Sequence, residues 1–279
     1  MTPDIILSED GAVIQHGPLN DRVYLMKMDS GAAGVSLEKA EWLAATRRYS
    51  KIFVKVPASA LEIFAERGYG IEAVVPGLFR GREDGYFLAR YPDPWRKEVT
   101  DAAVIRDVLG TALSRAEEAR ACAPSPGFAI RPVVEEDTPA LARLYGTVFE
   151  TYPFPIRDPE YLRRTMRAHI RYYGAHREER LVAASSAETD PETQSVEMTD
   201  FATHPSYQGM GLCSALLNQM ESDMRDEGLR TAFTIARAAL YPINITFARA
   251  GYRYGGTLVN NTQICGSFES MNVWYKRLV

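Results

Sequence analysis

The stretch "MTDFATHPSYQGMGLCSALLNQM", residues 198–220, sets Gly209 and Gly211 at the mouth of a segment otherwise rich in helix formers. A glycine inside a helix costs roughly 1 kcal/mol relative to alanine, so two of them in a first turn need a reason. Close approach is one. Without side chains at these positions the first backbone N–H groups of the helix stay open, and the positive end of its dipole faces outward. Such an end suits an anion that carries phosphates. Spacing separates the candidate loops. A P-loop requires G-x-x-x-x-G-K-S/T, and no lysine follows these glycines. A dinucleotide fingerprint requires G-x-G-x-x-G and an acidic residue closing the next strand. Here the third glycine is Ser214, and the next strand-like run, "TAFTIAR", ends in Arg237.

The order Gln208, Gly209, Met210, Gly211, Leu212, Cys213 resembles instead the pyrophosphate loop of the GCN5-related N-acetyltransferases, Gln/Arg-x-x-Gly-x-Gly/Ala, with Cys213 where a glycine or alanine is usual. The flanks fit that resemblance. "THP" precedes the loop, "ALLNQMESDMRDEGLRTAFTIA" supplies a helix, a glycine stop at Gly228 and a buried strand, and "ITFARAGYRYGGTL" looks like the family's later helix-to-strand segment. More narrowly, "EMTDFATHPSYQGMGL", "TIARA", "NITFARAGY", "GTLVNNTQICG" and "ESMNVWYKRL" together look like the β-lysine N6-acetyltransferases. The resemblance implies acetyl-CoA as co-substrate, no metal, and transfer to the side-chain amine of β-lysine. The implied product, N6-acetyl-β-lysine, is a zwitterionic compatible solute serving osmoadaptation. An acetyltransferase for another small amine or for protein lysine, and a non-catalytic acyl-CoA sensor, remain open on the same fold.

Composition admits this reading without selecting it. The 279 residues are 46% hydrophobic and 24% charged, as expected of a globular chain. A formal charge of −4 leaves no basic footprint for nucleic acid. Cys122, Cys213 and Cys265 are odd in number and far apart, which argues against structural zinc and a disulfide framework. The N-terminal "MTPDIILSEDGAVI" lacks a basic region before an apolar run, and no stretch of about 18 apolar residues occurs. The expectation is a cytoplasmic enzyme with a small-molecule partner, no membrane or nucleic-acid partner, and room for a homodimer.

The fold class expected is mixed α/β: an acetyltransferase domain at 128–279 with a central, largely antiparallel sheet flanked by helices, a linker at 123–127, and an N-terminal α/β domain at 1–122. "ACAPSPGFAIRP" marks the boundary through Pro124, Ser125, Pro126 and Gly127. Before it, Val104, Val108, Leu109 and Ala112 form a helical stripe. "IFAERGYGIEAVVPGLFRGREDGYFLARY" at 63–91 parallels "TFARAGYRYGGTLVNNTQICGSFESMNVWYKRL" at 246–278, matching Phe64 and Gly68 to Phe247 and Gly251. Either the N-terminal domain is a degenerate copy of part of the acetyltransferase fold, or helix, glycine stop and hairpin coincide by chance. On both readings it binds no CoA.

A lysine-like ammonium has a pKa near 10.4, so freeing the amine at pH 7 costs about 4.6 kcal/mol and calls for a base. Glu197 and Asp200 precede the loop. Their odd spacing puts them on opposite faces of a regular strand unless a bulge intervenes. Glu197 falls where a branch of the family carries its catalytic glutamate, and Asp200 is the alternative base or the ammonium holder. Phe201, Ala202 and Thr203 would offer main-chain N–H to the acetyl carbonyl. The cradle would comprise Gln208, Gly209, Met210, Gly211, Leu212, Cys213 and Ser214, with Asn244 either on the pantetheine or capping its helix. Phe247 occupies the position of the family's tyrosine acid and has no hydroxyl; Tyr241 and Tyr252 are the nearest phenols. For acceptor binding, Tyr152 and Phe154 would wall a narrow cleft. Asn260, Asn261, Glu269 and Asn272 would read the distal amine, although "NNTQICG" is also a good turn.

Overall fold

The structure, a computed structural model, describes residues 4–29, 31–118 and 126–279. Cys122 and residues 123–125 of the expected linker lie outside the described residues. Strands β1 (Ile5–Glu9), β2 (Ala12–Gly17) and β3 (Arg22–Met28) form an antiparallel meander. Helix α1 (Ala33–Arg47) crosses to β4 (Lys51–Pro57), which pairs parallel with β3. The short α2 (Leu61–Ala65) leads into the hairpin β5 (Gly70–Phe79) and β6 (Glu83–Arg90), and β6 lies between β4 and β5. Helix α3 (Ala102–Ser114), β7 (Ala129–Pro132), α4 (Thr138–Val148) and α5 (Pro159–Ala168) follow.

A second run then repeats the first. β8 (Ile170–Arg177), β9 (Arg180–Asp190) and β10 (Ser195–Thr203) make the meander, α6 (Leu212–Asp226) crosses to the parallel β11 (Thr231–Arg237), and α7 (Tyr241–Arg249) leads into the hairpin β12 (Arg253–Ile264) and β13 (Ser267–Arg277). Side chains repeat as well. Phe64 and Phe247 are both fully buried, Gly68 and Gly251 both take positive φ (79° and 82°), and Tyr69 and Tyr252 each pack edge-on against the preceding phenylalanine. In both, the tyrosine N–H donates to that phenylalanine's carbonyl, at 3.2 and 3.1 Å. Glu41 on α1 pairs with Arg90 on β6, and Glu221 on α6 with Lys276 on β13, each at 2.6 Å.

The thirteen strands form one mixed sheet in the order β1-β2-β3-β4-β6-β5-β12-β13-β11-β10-β9-β8-β7. The halves meet where β5 pairs with β12, Ala73 opposite Gly256. A Cβ on Gly256 would lie 2.1 Å from the Glu72 carbonyl oxygen, and one on Gly255 2.6 Å from that of Val74, so this glycine pair is what lets the backbones close. Buried cations fasten the seam: Lys51 reaches Glu72 at 2.8 Å and the Val259 carbonyl at 2.7 Å, and Arg96 donates to the carbonyls of Asn260 and Asn20, both at 2.8 Å. The sheet curls, so that Tyr24 of β3 and Phe53 of β4 share a core with Phe233 of β11 and Met271 of β13. Lys27 on β3 pairs with Asp190 on β9 at 3.0 Å across the concave side.

Helix α3, placed with the N-terminal part by its position before the proline-rich boundary, buries Val108 and Ala112 and packs against α7 of the second half. Its inward stripe is Ile105, Val108, Leu109 and Ala112; Val104 is exposed, one position off the expected face. Among the described residues no helix is long and apolar enough to cross a membrane.

Candidate active site

Strand β10 runs from an open cavity to the glycine loop and organises both. It pairs in parallel with β11 only at 195–197 opposite 231–233, although β10 continues to Thr203 and β11 to Arg237. Beyond Glu197 the two strands therefore part, and the edge of β10 is available to an extended amide chain. On its other side, pairing with β9 slips between Thr199 and Ala202, where three steps on β10 oppose two on β9. Asp200 sits in this bulge with φ 55°. A bulge reverses the alternation of side chains. The strict parity that would send Glu197 and Asp200 to opposite faces is thus broken, and both line one cavity of about 610 Å³.

That cavity lies between the halves of the curled sheet. β10 contributes Glu197, Thr199 and Asp200, β9 Glu188, and the α4–α5 connection Tyr152 and Phe154, while the N-terminal half contributes Gln15, Arg22, Tyr24 and Lys27. The two carboxyls of β10 are in different situations. Asp200 is fixed: the Tyr152 hydroxyl donates to its Oδ1 and the Ser186 hydroxyl to its Oδ2 at 2.6 Å. Burial still lifts its pKa above the usual carboxylate range. Glu197 makes no side-chain hydrogen bond or ion pair among the described residues. Burial, with the negative charges of Glu188 and Asp200 nearby, pushes it up to about 8 against the opposing Lys55 and Arg22. Burial acts on Glu188 in the same sense, but His169, Lys55 and Lys27 outweigh it and hold Glu188 below the usual range. One carboxyl is thus kept protonated at neutral pH beside another kept ionised, a separation typical of acid–base sites.

A raised pKa means that the fold favours neutral Glu197. Its stabilising contribution is complete below the ordinary carboxylate range and is lost as pH rises from there through about 8. Glu197→Gln, neutral throughout, is expected to raise the Tm of the substrate-free protein above pH 8 and to leave it nearly unchanged at pH 4. A Tm difference that does not grow with pH in calorimetric scans would contradict this assignment.

At the far end of β10, the chain turns through residues 205–207 into Gly209 (φ 78°) and Gly211 (φ 74°). Helix α6 starts only at Leu212, so neither glycine sits inside the helix as its sequence position suggested. Their requirement is a left-handed backbone, which costs other residues roughly 1–2 kcal/mol. A Cβ at Gly209 would meet nothing, so the space outside the loop is open. Gly211, the N-cap, offers no side-chain cap, and the amides of Leu212, Cys213 and Ser214 precede the first α-helical bond, Ala215 N–H to the Gly211 carbonyl. These features fit a diphosphate. Gln208 is exposed beside them, Met210 packs on the adjoining core, Leu212 is buried, and burial pushes the Cys213 thiol up to about 12.

The remaining expected residues divide. Ala202 is buried under α4, Phe201 packs edge-on against Phe247, and Thr203 ends the strand opposite Ala183. Phe247 is core, Tyr252 is buried beside it, and the Tyr241 hydroxyl donates to Asp107 on α3, so none of the three presents a free acid to the splayed strands. Asn244 is fully buried with its amide consumed: it donates to the carbonyls of Arg237 and Leu240 and accepts from Asn272 and the Trp274 indole, both at 2.9 Å. It ties the α7 entry to the hairpin and has no capacity left for a pantetheine. Of the four hairpin residues, only Asn261 lines the cavity. Asn260 donates to the carbonyls of Arg96 and Glu98, Asn272 binds Asn244 and Thr257, and Glu269 is held in a two-point ion pair by Arg237. Sequence reasoning missed most of the cavity lining, including Glu188, Gln15, Arg22, Lys27, Arg164 and His169. The alternation in "RVYLMKM" hints at Arg22 alone, and it does not say what the strand faces.

Residues 138–252 match the model of the acetyltransferase (GNAT) family. The chain is similar to the β-lysine N6-acetyltransferase of Methanococcus maripaludis, 38% identical over 97% of this chain and 98% of that protein. It is also similar to the N-acetyltransferase YodP of Bacillus subtilis, 33% identical over 96% of each chain. The β-lysine N6-acetyltransferase of Methanosarcina mazei is 30% identical over 85% of this chain and 94% of its own. The chain belongs to the GNAT acetyltransferases, and is an N-acetyltransferase of the class that takes its acetyl group from acetyl-CoA.

Proposed function

We propose that this enzyme acetylates the N6 amine of β-lysine, with Glu197 as the base. The observation that carries the reading is the charge make-up of the cavity: Glu197, Asp200 and Glu188 line it together with buried Arg22, while Lys27 is held by Asp190 and Arg164 is exposed, a set complementary to an acceptor bearing two ammoniums and a carboxylate. The names of two full-length relatives agree with it.

Bound acetyl-CoA would supply a thioester whose carbonyl carbon forms the C–N bond as its C–S bond breaks. The diphosphate would lie on the loop from Gln208 to Ser214 and the pantetheine along the free edge of β10, with the bulged peptides at Asp200 to Thr203 aiming N–H at the acetyl oxygen. Proton transfer from an ammonium of pKa 10.4 to a carboxylate of pKa near 8 costs about 3 kcal/mol, against about 8 for an ordinary glutamate. Glu197 takes that first proton and passes it to solvent. Asp200, locked by Tyr152 and Ser186, orients the amine. The second nitrogen proton goes to the departing thiolate, which needs no dedicated acid, consistent with Phe247 in the tyrosine position. Acetylation removes one positive charge from β-lysine and leaves a zwitterion without net charge, suited to a cytoplasmic compatible solute.

The repeated topology of residues 5–90 supports reading the N-terminal half as a degenerate acetyltransferase copy without a cofactor loop. Thiol release from acetyl-CoA with β-lysine, α-lysine and a lysine peptide tests the acceptor. Turnover should be fastest with β-lysine by at least about tenfold in kcat/KM. Equal or faster reaction with the peptide would overturn the assignment.

A further inference from the structure

We propose that Arg22 and Gln15, both from the N-terminal half, form the subsite for the acceptor's carboxylate, which makes that half a determinant of acceptor specificity. The proposal rests on the β-lysine reading and adds to it which residues select an amino acid over a plain diamine.

The first observation is an uncompensated charge. Arg22 is 4% exposed, lines the cavity, and forms no ion pair among the described residues. The two other cations of this half with fully covered side chains are paired, Lys51 with Glu72 at 2.8 Å and Arg96 with Asp21 at 3.6 Å. Burying a guanidinium without an anion is costly, and a bound carboxylate removes that cost. The second observation is unused donors. Arg22 is oriented by bonds from Nη1 to the Asn261 carbonyl and from Nη2 to Gln15 Oε1 at 3.1 Å, and its ring neighbours Tyr24 and Phe53 lie 5.2 and 5.7 Å from the guanidinium. Its Nε has no partner, nor does Gln15 Nε2, although Gln15 is only 1% exposed. Buried donors are almost always satisfied, so two donors without a protein partner on adjacent strands, both belonging to cavity-lining residues, mark a place that a carboxylate can complete once these side chains turn toward it. The third is an orphan of opposite kind. Asn261 Oδ1, also cavity-lining and unpartnered, is an acceptor suited to an ammonium N–H. Glu197 and Asp200 line it too. One cavity thus offers an anion-binding group from the N-terminal half and carboxyls from the β10 bulge.

The test compares β-lysine with 1,4-diaminopentane, which is β-lysine without its carboxylate, in steady-state kinetics of the full-length protein. For the wild type, KM for the diamine should exceed that for β-lysine by on the order of 10²-fold. Measured well above pH 8, where Glu197 is ionised with or without the Arg22 charge that holds its pKa down, Arg22→Gln should raise KM for β-lysine by a similar factor and leave KM for the diamine within about twofold. Equal KM for the two amines in the wild type would overturn the subsite while leaving the acceptor assignment standing. So would an Arg22→Gln defect shared equally by both, which is what a purely structural arginine predicts. If the wild type acetylates neither amine, the acceptor assignment fails and the subsite with it. Should Arg22→Gln not fold, the wild-type comparison decides alone.

Discussion

Glu197→Gln lowers turnover with β-lysine by roughly 10²- to 10⁴-fold while acetyl-CoA affinity stays nearly constant. The size follows from the role proposed for it: it is the cavity carboxyl with no internal partner among the described residues, and its pKa near 8 brings it toward that of the ammonium it would deprotonate. The pH response gives the role away. In the wild type, kcat/KM should rise with pH through an ionisation near 8, because Glu197 must be deprotonated in the free enzyme to act as a base. In the variant that ionisation disappears and the defect shrinks in alkaline solution, where free amine is supplied by solvent. Asp200→Asn should act differently, raising KM for the acceptor more than it lowers kcat, since Tyr152 and Ser186 already occupy both of its oxygens. Stopped turnover in Asp200→Asn with a mild effect in Glu197→Gln would exchange the two roles. The check is a pair of pH–rate profiles with acetyl-CoA binding measured separately.

Gly211→Glu removes CoA binding, with an affinity loss of at least about 10²-fold, because it sets a carboxylate among the uncapped amides where a phosphate would sit, and like charges juxtaposed at a site cost several kcal/mol. The substitution also forces a side chain onto a left-handed backbone at φ 74°. Gly211→Ala separates these effects: it carries the strain without the charge, so it should lower Tm slightly and weaken CoA far less. Calorimetry should find one CoA per wild-type chain, none measurable with Gly211→Glu, and intermediate affinity with Gly211→Ala. Unchanged affinity in folded Gly211→Glu would remove this loop from the cofactor site, and two sites on the wild type would give the N-terminal half a cradle of its own.

Features enforced by local backbone chemistry were legible in the sequence. Gly209 and Gly211 announced a loop because few other residues take those φ values, and the pairing of Phe64 and Gly68 with Phe247 and Gly251 was visible because the same chain shape demands the same residues twice. Features made by distant contacts were not. Nothing in "VEMTDF" announces a bulge at Asp200, so parity misplaced one carboxyl relative to the other until the β9 register was known. Polar residues of the last hairpin looked like acceptor contacts, yet Asn272 and Asn244 spend their amides on each other and on Trp274, and Glu269 is neutralised by Arg237. Arg22 was hidden for the converse reason. It begins a short strand, and its cavity surroundings include Asn261, 239 residues away, brought close only by the curl of the sheet.

The most direct measurement is the position of the acetyl group in the product. Purified protein incubated with β-lysine and acetyl-CoA carrying ¹³C in its acetyl group should give a single labelled amide, coupled by NMR to the C6 methylene, because the proposed base Glu197 lies on the strand that leads to the glycine loop and the proposed carboxylate subsite is at Arg22. Label on the C3 amine, or no acetylated β-lysine at all, would contradict the account.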